Sequence, residues 1–223
     1  MNRFTLALST LLASLRTRGL RKTLRLAVDE FRFDRQLGLD TGGFLDTTSM
    51  DIVDGKLDAA QPYMPTARIT FNEICKQLDP VLRLGTFVDY GSGKGRVLVL
   101  ATLSGFNKVV GVEFERTLCD TARRNLATLK RAGATTPTEI INQDAATFPI
   151  PTEASTFYFY NPFDEQVMND VLKKIQQSLR LKPRPHTIIY MNPTCHEVFI
   201  KAGFHLQYRG DSSVGQAFHL YHI

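Results

Sequence analysis

The sequence predicts an α/β fold: a doubly wound, mostly parallel seven-stranded sheet with a C-terminal antiparallel hairpin, preceded by a helical N-terminal segment. Three observations lead to this prediction. Short apolar runs alternate with amphipathic stretches from Gly85 onward, which is typical of strands and helices that build a parallel sheet. A glycine-rich turn joins the first of these runs to the next amphipathic stretch. The last two apolar runs have little sequence between them, which indicates an antiparallel hairpin.

The chain of 223 residues is long enough for one α/β domain and an additional segment. We divide it into a helical and loop-rich N-terminal extension, residues 1–64, and a domain over residues 65–223. Between Arg21 and Leu37, apolar positions are mixed with many charges in a pattern that indicates a helix. From Gly38 to Pro65 the sequence has no regular period, which predicts loops.

The first residues of the chain predict an amphipathic helix with a basic continuation. Leucines that share one helical face precede a basic stretch, and the residues concerned are Leu8, Leu11, Leu12, Leu15, Arg16, Arg18, Arg21, Lys22 and Arg25. We expect this helix to pack on the domain or on a partner subunit. Peripheral contact with an anionic membrane surface and a cleaved signal peptide are the alternatives. The apolar run is too short to span a bilayer.

Strands and helices alternate along the predicted domain. The candidate strands are residues 86–89, 108–113, 139–142, 156–160, 187–191, 204–208 and 217–222. The candidate helices are residues 66–78, 96–103, 118–129, 167–179 and 197–201. Asp79-Pro80 ends the first of these helices, because a residue before proline disfavours the helical backbone.

A glycine loop, Asp89-Tyr90-Gly91-Ser92-Gly93-Lys94-Gly95, lies between the first candidate strand and the helix that follows it. Glycines adopt backbone angles that are closed to other residues and let a ligand approach the backbone closely. The amides at the start of the following helix point towards such a ligand. The G-x-G-x-G spacing differs from the G-x-G-x-x-G of dinucleotide-binding loops and from the phosphate-binding Walker loop. The spacing therefore disfavours a dinucleotide and a phosphate group held in a Walker loop as the ligand.

Two further acids follow the next two strands. Glu113 ends the second candidate strand, about twenty residues after the loop, where a carboxylate can accept hydrogen bonds from both hydroxyls of a ribose. Asp144 follows the third strand, where its carboxylate or the neighbouring backbone can meet the amino group of an adenine. A solvated loop position is the alternative for Asp144. With Asp89, acids stand at three successive strand ends, which predicts a pocket for an adenosyl group.

The stretches FVDYGSGKGR (87–96), VVGVEF (109–114) and QDA (143–145) resemble those of the class I, Rossmann-like methyltransferases that use S-adenosylmethionine (SAM). The resemblance covers roughly residues 65–223 and implies SAM as the cofactor. It implies that the glycine loop holds the methionine part of SAM, Glu113 the ribose and Asp144 the adenine. The residues expected to bind SAM are Asp89, Tyr90, Gly91, Ser92, Gly93, Glu113, Phe114, Asp144, Ala145 and Asn161. The GSGKGR form, with an upstream Tyr63-Met64-Pro65, is similar to bacterial relatives of non-SET protein lysine methyltransferases.

The acceptor side is predicted at the end of the fourth strand, in Asn161-Pro162-Phe163. This sequence resembles the [DNS]-P-P-[YFW] motif of amino-group methyltransferases, with one proline instead of two. The resemblance implies that the Asn161 side chain and a backbone carbonyl accept hydrogen bonds from an amine and orient its lone pair. It also implies that Phe163 packs on the substrate or on a cation, and Tyr63 is a third candidate for contact with the acceptor. The alternative is that Asn161-Pro162 caps the helix beginning at Asp164, with Phe163 in the core.

These observations favour methyl transfer from SAM to an amine, in a protein lysine or a small molecule. A SAM-binding module without catalysis and an NAD-dependent oxidoreductase are the alternatives. The spacing of cysteine and histidine predicts no metal site, and no motif supports a nucleic-acid partner despite the net charge of +5. Three scattered cysteines favour the cytoplasm. Lys94 and Arg96 are expected to face solvent or the cofactor carboxylate, and no oligomeric state is predicted.

Overall fold

The computed structural model of the protein describes residues 20–42 and 65–223. Its α-helices are α1 (Leu20–Leu37), α2 (Arg68–Cys75), α3 (Arg96–Leu103), α4 (Arg116–Arg131), α5 (Glu165–Leu181) and α6 (His196–Lys201). Its strands are β1 (Thr86–Tyr90), β2 (Lys108–Glu113), β3 (Thr138–Asn142), β4 (Ala154–Tyr160), β5 (Thr187–Met191), β6 (His205–Asp211) and β7 (Ala217–His222).

The described strands form one sheet in the order β3-β2-β1-β4-β5-β7-β6. The strands from β3 to β5 in this order are parallel, and β7 runs antiparallel between β5 and β6. The predicted fold class is confirmed, including the C-terminal hairpin. Since β2 lies on one side of β1 and β4 on the other, the strand order reverses between β1 and β4. Doubly wound folds bind ligands at such a point, outside the carboxyl ends of the strands.

Apolar side chains of the strands alternate between two faces of the sheet, and each face is covered by helices. On one face Phe87 of β1 packs edge-on against Phe71 of α2, with ring centroids 5.9 Å apart. On the other face Tyr90 stacks on Phe159 of β4 at 4.9 Å. Phe33 of α1 is buried in the same cluster as Phe87 and Phe71, so the described part of the N-terminal extension shares the core of the domain.

The largest differences from the predicted boundaries are in α2 and β6. Helix α2 is shorter than the predicted 66–78, and a 3-10 turn, Pro80–Leu84, follows it. The Asp79 side chain accepts a hydrogen bond from the Val81 amide at 2.9 Å, which caps that turn. Strand β6 extends beyond the predicted 204–208, because its hairpin partner pairs Ala217 with Asp211.

The predicted N-terminal amphipathic helix and Tyr63 lie outside the described residues. The helix predicted between Arg21 and Leu37 is confirmed as α1. Over residues 20–42 and 65–223, the chain contains no helix of the length and apolar character needed to cross a membrane.

Candidate active site

The glycine loop leaves β1 in a left-handed backbone conformation. The φ angles of Gly91, Gly93 and Gly95 are 74°, 53° and 80°, values that residues with a side chain rarely adopt. Space is a second constraint at Gly91, where a Cβ atom would stand 2.7 Å from the Cβ of Pro162. The loop after β1 therefore packs directly on the turn after β4, and this contact brings the predicted cofactor segment and the predicted acceptor segment together.

Backbone hydrogen bonds anchor the glycine loop to the end of β2. The Gly91 amide donates to the Val112 carbonyl at 2.9 Å, and the Ser92 amide donates to the same oxygen at 3.1 Å. The Gly93 amide donates to Glu113 Oε2 at 2.9 Å. The position of the loop is thus set by the same strand end that carries the predicted ribose ligand.

The Glu113 carboxylate is 5% exposed and keeps acceptor capacity for a ligand. Besides the bond from Gly93, its Oε1 accepts a hydrogen bond from the Glu115 amide at 3.0 Å. The Phe114 amide is a further hydrogen-bond donor to this carboxylate. A carboxylate has about four acceptor positions, so about one is left for a ligand. Burial raises the pKa of Glu113, and the hydrogen bonds from the backbone oppose that rise.

Asp89 is the second buried carboxyl of the site, at 3% exposure. Within the described residues no hydrogen bond to its side chain offsets the burial, and the negative charge of Glu113 adds to the penalty. Burial first and then this charge raise the pKa of Asp89 well above its ordinary value. The two carboxyls at neighbouring strand ends therefore form a site that a cationic ligand would stabilise.

Tyr90 and Ser92 direct their side chains away from a ligand in this cleft. The Tyr90 ring lies in the core between Phe148 and Phe159, as strand alternation requires of the residue after Asp89. The Ser92 hydroxyl packs so tightly against β2 that a Cβ atom at Gly111 would lie 2.7 Å from it. These two predicted cofactor residues could therefore contact a ligand through their backbone.

The predicted adenine side lies beside Glu113, at the end of β3. The Gln143 amide donates to the Glu113 carbonyl at 3.0 Å, which joins the ends of β2 and β3. Asp144 uses one carboxylate oxygen to accept from the Ala146 amide at 2.8 Å, and Ala145 is buried in the core. Phe114 exposes 36% of its surface, so its ring is accessible at this edge of the sheet.

Asn161, the first residue of the predicted acceptor segment, is held by two hydroxyls of the next strand and turn. It has a left-handed backbone with φ 42° and is 8% exposed. Its side-chain carbonyl oxygen accepts hydrogen bonds from Tyr190 Oη at 2.8 Å and from Thr194 Oγ1 at 2.6 Å. Both acceptor positions of that oxygen are therefore used within the protein.

The orientation of the Asn161 amide follows from Tyr190. The Tyr190 hydroxyl already accepts a hydrogen bond from the Cys195 amide at 3.2 Å. Burial raises the pKa of Tyr190 to about 12, so the hydroxyl keeps its proton at neutral pH and must donate it. Asn161 offers the acceptor, which fixes its oxygen towards Tyr190 and leaves its amide nitrogen as the group not engaged by these hydroxyls.

Comparison with solved structures supports the fold. A SAM-dependent methyltransferase from Aquifex aeolicus matches with a TM-score of 0.54 at 10% identity, over 69% of this chain and 89% of that chain. A SAM-dependent methyltransferase from Leishmania major matches with a TM-score of 0.54 at 14% identity, over 68% and 70% of the chains. An O-methyltransferase from neocarzinostatin biosynthesis, crystallised with SAM and a naphthoic acid, matches with a TM-score of 0.53 at 12% identity, over 68% and 53% of the chains.

The chain has the class I methyltransferase fold. No protein-family model matches the sequence, and no curated protein matches it. The fold is thus established from the arrangement of strands and helices, and the glycine loop follows β1, where doubly wound folds place their ligand-binding turn.

The residue that caps the helix after β4 is not the one that the sequence alternative named. Asp164, and not Asn161, caps α5, because the Asp164 side chain accepts a hydrogen bond from the Val167 amide at 2.9 Å. Phe163 is half-buried and meets the Phe159 ring edge-on at 6.4 Å. The Asn161-Pro162-Phe163 turn is therefore separate from the cap and lies between the glycine loop and α5.

The expectation that Lys94 and Arg96 face solvent or the cofactor carboxylate is wrong. Arg96 is 1% exposed and forms an ion pair with Asp34 at 3.2 Å. Lys94 Nζ lies 2.8 Å from Asp40 Oδ1. Lys94 of the glycine loop and Arg96 at the start of α3 therefore both bind the N-terminal extension.

Sequence reasoning also missed the residues that hold Asn161. Tyr190 lies in an apolar run that predicts a buried strand, and Thr194 lies in the turn after it. The recurring Asn-Pro at 161–162 and 192–193 is the one sequence feature that relates the two turns. Both asparagines have positive φ, 42° at Asn161 and 47° at Asn192.

Proposed function

We propose that the protein is a SAM-dependent methyltransferase. The observation that carries the proposal is the pair of buried carboxyls, Asp89 and Glu113, beside a glycine loop in a class I methyltransferase fold. SAM carries a sulfonium and an ammonium group, and each favours a site with uncompensated negative charge. The G-x-G-x-G spacing of the loop disfavours NAD, whose binding loops have the spacing G-x-G-x-x-G.

The residues of the site fit SAM in distinct ways. The backbone of Gly91 and Gly93 permits close approach, because neither residue has a side chain. Glu113 keeps an acceptor position for a ribose hydroxyl, and Asp89 offers a carboxylate to the ammonium group. Asp144 and the exposed ring of Phe114 are assigned to the adenine. When bound, SAM would supply an electrophilic methyl group at this site.

For the acceptor we propose an amine, in a protein lysine or a small molecule, at the Asn161-Pro162-Phe163 turn. The proposal is supported by the resemblance of this turn to the amino-group motif and by the contact between Pro162 and Gly91. Since the side-chain oxygen of Asn161 is engaged by Tyr190 and Thr194, the backbone carbonyls of the turn are the acceptors we assign to the amine N–H groups. Phe163 provides an aromatic face for the developing ammonium.

A SAM-binding module without catalysis is the second candidate. It is favoured by the same engagement of Asn161, because a side-chain oxygen that already accepts two hydrogen bonds cannot orient a substrate amine. In that case the protein would bind SAM through the same carboxyls and transfer no methyl group.

Two measurements test these proposals in sequence. Titration calorimetry with SAM, S-adenosylhomocysteine and NAD should show binding of the first two and no binding of NAD. Transfer of labelled methyl from SAM to a cell extract then separates enzyme from binding module. Binding of NAD in preference to SAM would overturn the proposed function, and SAM binding without transfer to any extract fraction would favour the module.

Matched variants locate the activity in the site. Glu113→Ala removes the proposed ribose ligand and should abolish transfer. Glu139→Ala removes a half-exposed glutamate of β3 that pairs with Lys108 at 3.2 Å, and it should leave transfer unchanged because an exposed ion pair contributes little. Equal activity of the two variants would contradict the assignment of Glu113.

A further inference from the structure

Arg96, the first residue of α3, is an arginine buried at the base of the glycine loop. Its Nε donates to the Thr66 carbonyl at 2.8 Å, and its Nη1 donates to Thr41 Oγ1 at 2.9 Å. The same nitrogen lies 3.2 Å from Asp34 Oδ1, and the guanidinium stands 4.8 Å from the centroid of the Phe33 ring. Contacts from α1, from the turn after it and from the chain just before α2 thus converge on one side chain.

Asp34 organises the segment that reaches Arg96. While Oδ1 faces the guanidinium, Oδ2 accepts hydrogen bonds from the Thr41 amide and the Gly42 amide, both at 2.8 Å. The carboxylate therefore closes the turn that follows α1. We call residues 34–42, with this closed turn, the N-terminal clasp.

A second set of contacts binds the clasp to Lys94. The Lys94 ammonium donates to Asp40 Oδ1 at 2.8 Å and to the Gly42 carbonyl at 3.0 Å. Asn125 of α4 accepts from the Asp40 amide at 2.9 Å and donates to the Asp40 carbonyl at 2.8 Å. Its amide nitrogen also donates to the Lys94 carbonyl at 2.9 Å. The clasp is therefore joined to both the side chain and the backbone of the loop.

These contacts directly follow the glycine-loop residues proposed to bind SAM. Lys94 and Arg96 flank Gly95, whose φ is 80°, and Gly93 is bonded to Glu113. A displacement of Lys94 or Arg96 must change the backbone of the residues between and beside them. We propose that the N-terminal clasp sets the geometry of the glycine loop, with Asp34 as a positioning residue that acts on SAM affinity through Arg96.

The inference rests on the proposed SAM site and adds a thermodynamic consequence. If docking of the clasp favours the SAM-binding form of the loop, then SAM must stabilise the docked clasp by the same factor. Loss of Asp34 would remove an acid that faces the buried Arg96 charge, which is costly in a protein interior. The clasp would then dock less well, and SAM would bind less tightly.

The test compares two aspartates of α1. Asp34→Asn removes the acid that faces Arg96. The Asp34 side chain is 18% exposed. Asp29→Asn is the matched control, because Asp29 has a similar exposure of 14% and pairs with Arg68, away from the glycine loop. Calorimetry should give a SAM Kd about tenfold higher for Asp34→Asn and a Kd close to wild type for Asp29→Asn.

A double variant separates positioning from stability. Asp34→Asn/Arg96→Met removes both charges, so the buried guanidinium that Asp34→Asn deprives of this acid is absent as well. We expect the double variant to regain thermal stability relative to Asp34→Asn while its SAM Kd stays high. Recovery of both stability and SAM affinity would show that Asp34 stabilises the fold without positioning the loop.

Hydrogen exchange tests the inference on the wild-type protein, without a variant. SAM should slow exchange of the Thr41 and Gly42 amides, which donate to Asp34, by about the factor seen in the Kd. Unchanged exchange at these amides, or equal Kd values for Asp34→Asn and Asp29→Asn, would overturn the inference while the SAM site stands. A wild-type protein that binds no SAM would overturn the proposed function, and the inference with it.

Discussion

Gly91 and Pro162 are in contact across the carboxyl edge of the sheet, so closely that no side chain fits between them. The distance from a Cβ atom at Gly91 to the Pro162 Cβ would be 2.7 Å. The two residues follow β1 and β4, the strands on either side of the topological switch point. Residues proposed for the cofactor and for the acceptor therefore share one van der Waals surface, and a change in one segment must move the other.

Gly91→Ala is expected to weaken SAM binding at least tenfold, because it combines a strained positive φ with a collision against Pro162. Gly105→Ala is the matched control: its φ of 82° is as unfavourable, but nothing lies within 4 Å of the new Cβ atom. Each variant should lose roughly 1 kcal/mol of unfolding free energy from backbone strain. Calorimetric titration with SAM should then distinguish them, and equal affinities would contradict the role of the contact.

Asp89→Asn is expected to stabilise the ligand-free protein while it weakens SAM binding. A carboxyl whose pKa is higher in the folded state than its ordinary value of 3.8 takes up protons on folding. The wild type therefore loses stability as the pH rises from about 3.8 towards the folded pKa, by about 1.4 kcal/mol for each unit of the rise. The variant lacks this loss.

Urea unfolding of the ligand-free proteins at about pH 4 and about pH 8 measures the difference. The advantage of Asp89→Asn over the wild type should be larger at the higher pH. An advantage that shrinks with rising pH would mean that the Asp89 carboxylate is stabilised in the fold, contrary to its burial without a hydrogen bond.

Tyr190→Phe is expected to lower the rate of methyl transfer and leave SAM affinity near the wild-type value. The change frees one acceptor position on Asn161 and leaves the buried Cys195 amide without its partner, which should cost about 1–3 kcal/mol of stability. Asn161 then loses its fixed orientation beside the acceptor. Tyr208→Phe, which removes a hydroxyl from the exposed edge strand β6, serves as the control. A parallel rise in SAM Kd would assign Tyr190 to the cofactor side instead.

Asp164→Ala is expected to destabilise the protein by about 1 kcal/mol, because it removes the side chain that caps α5. Asp170→Ala, on the exposed face of the same helix next to Lys173, should change stability by less than half of that amount. Thermal unfolding measures both. SAM affinity should be unaffected in both variants, since Asp164 and Asp170 lie outside the proposed site.

Much of the fold could be predicted because its determinants are local. The β1 and β2 strands are short apolar runs whose side chains are buried on both faces, and Glu113 lies at the end of β2 as expected. The spacing of the glycines distinguishes the loop from dinucleotide-binding loops. The boundaries of α2 and β6 were less predictable, because a 3-10 turn and a hairpin register decided them.

The environment of Arg96 could not be predicted in the same way. A charged residue at the start of a helix is usually exposed, and Asp34, which pairs with Arg96, lies far away in the sequence. Likewise, the N-P-F motif suggested an open Asn161, but whether its oxygen is free depends on where Tyr190 and Thr194 lie in the folded chain. The site in the structure differs from the predicted site because polar groups pair over long sequence distances. The pattern of apolar residues does not reveal such pairs.

Thr41 and Thr66 both hydrogen-bond to the guanidinium of Arg96, so the chain positions before and after residues 43–64 are fixed to one point of the domain. One guanidinium thus holds together two parts of the chain that are separate in sequence, and its removal would break both contacts at once.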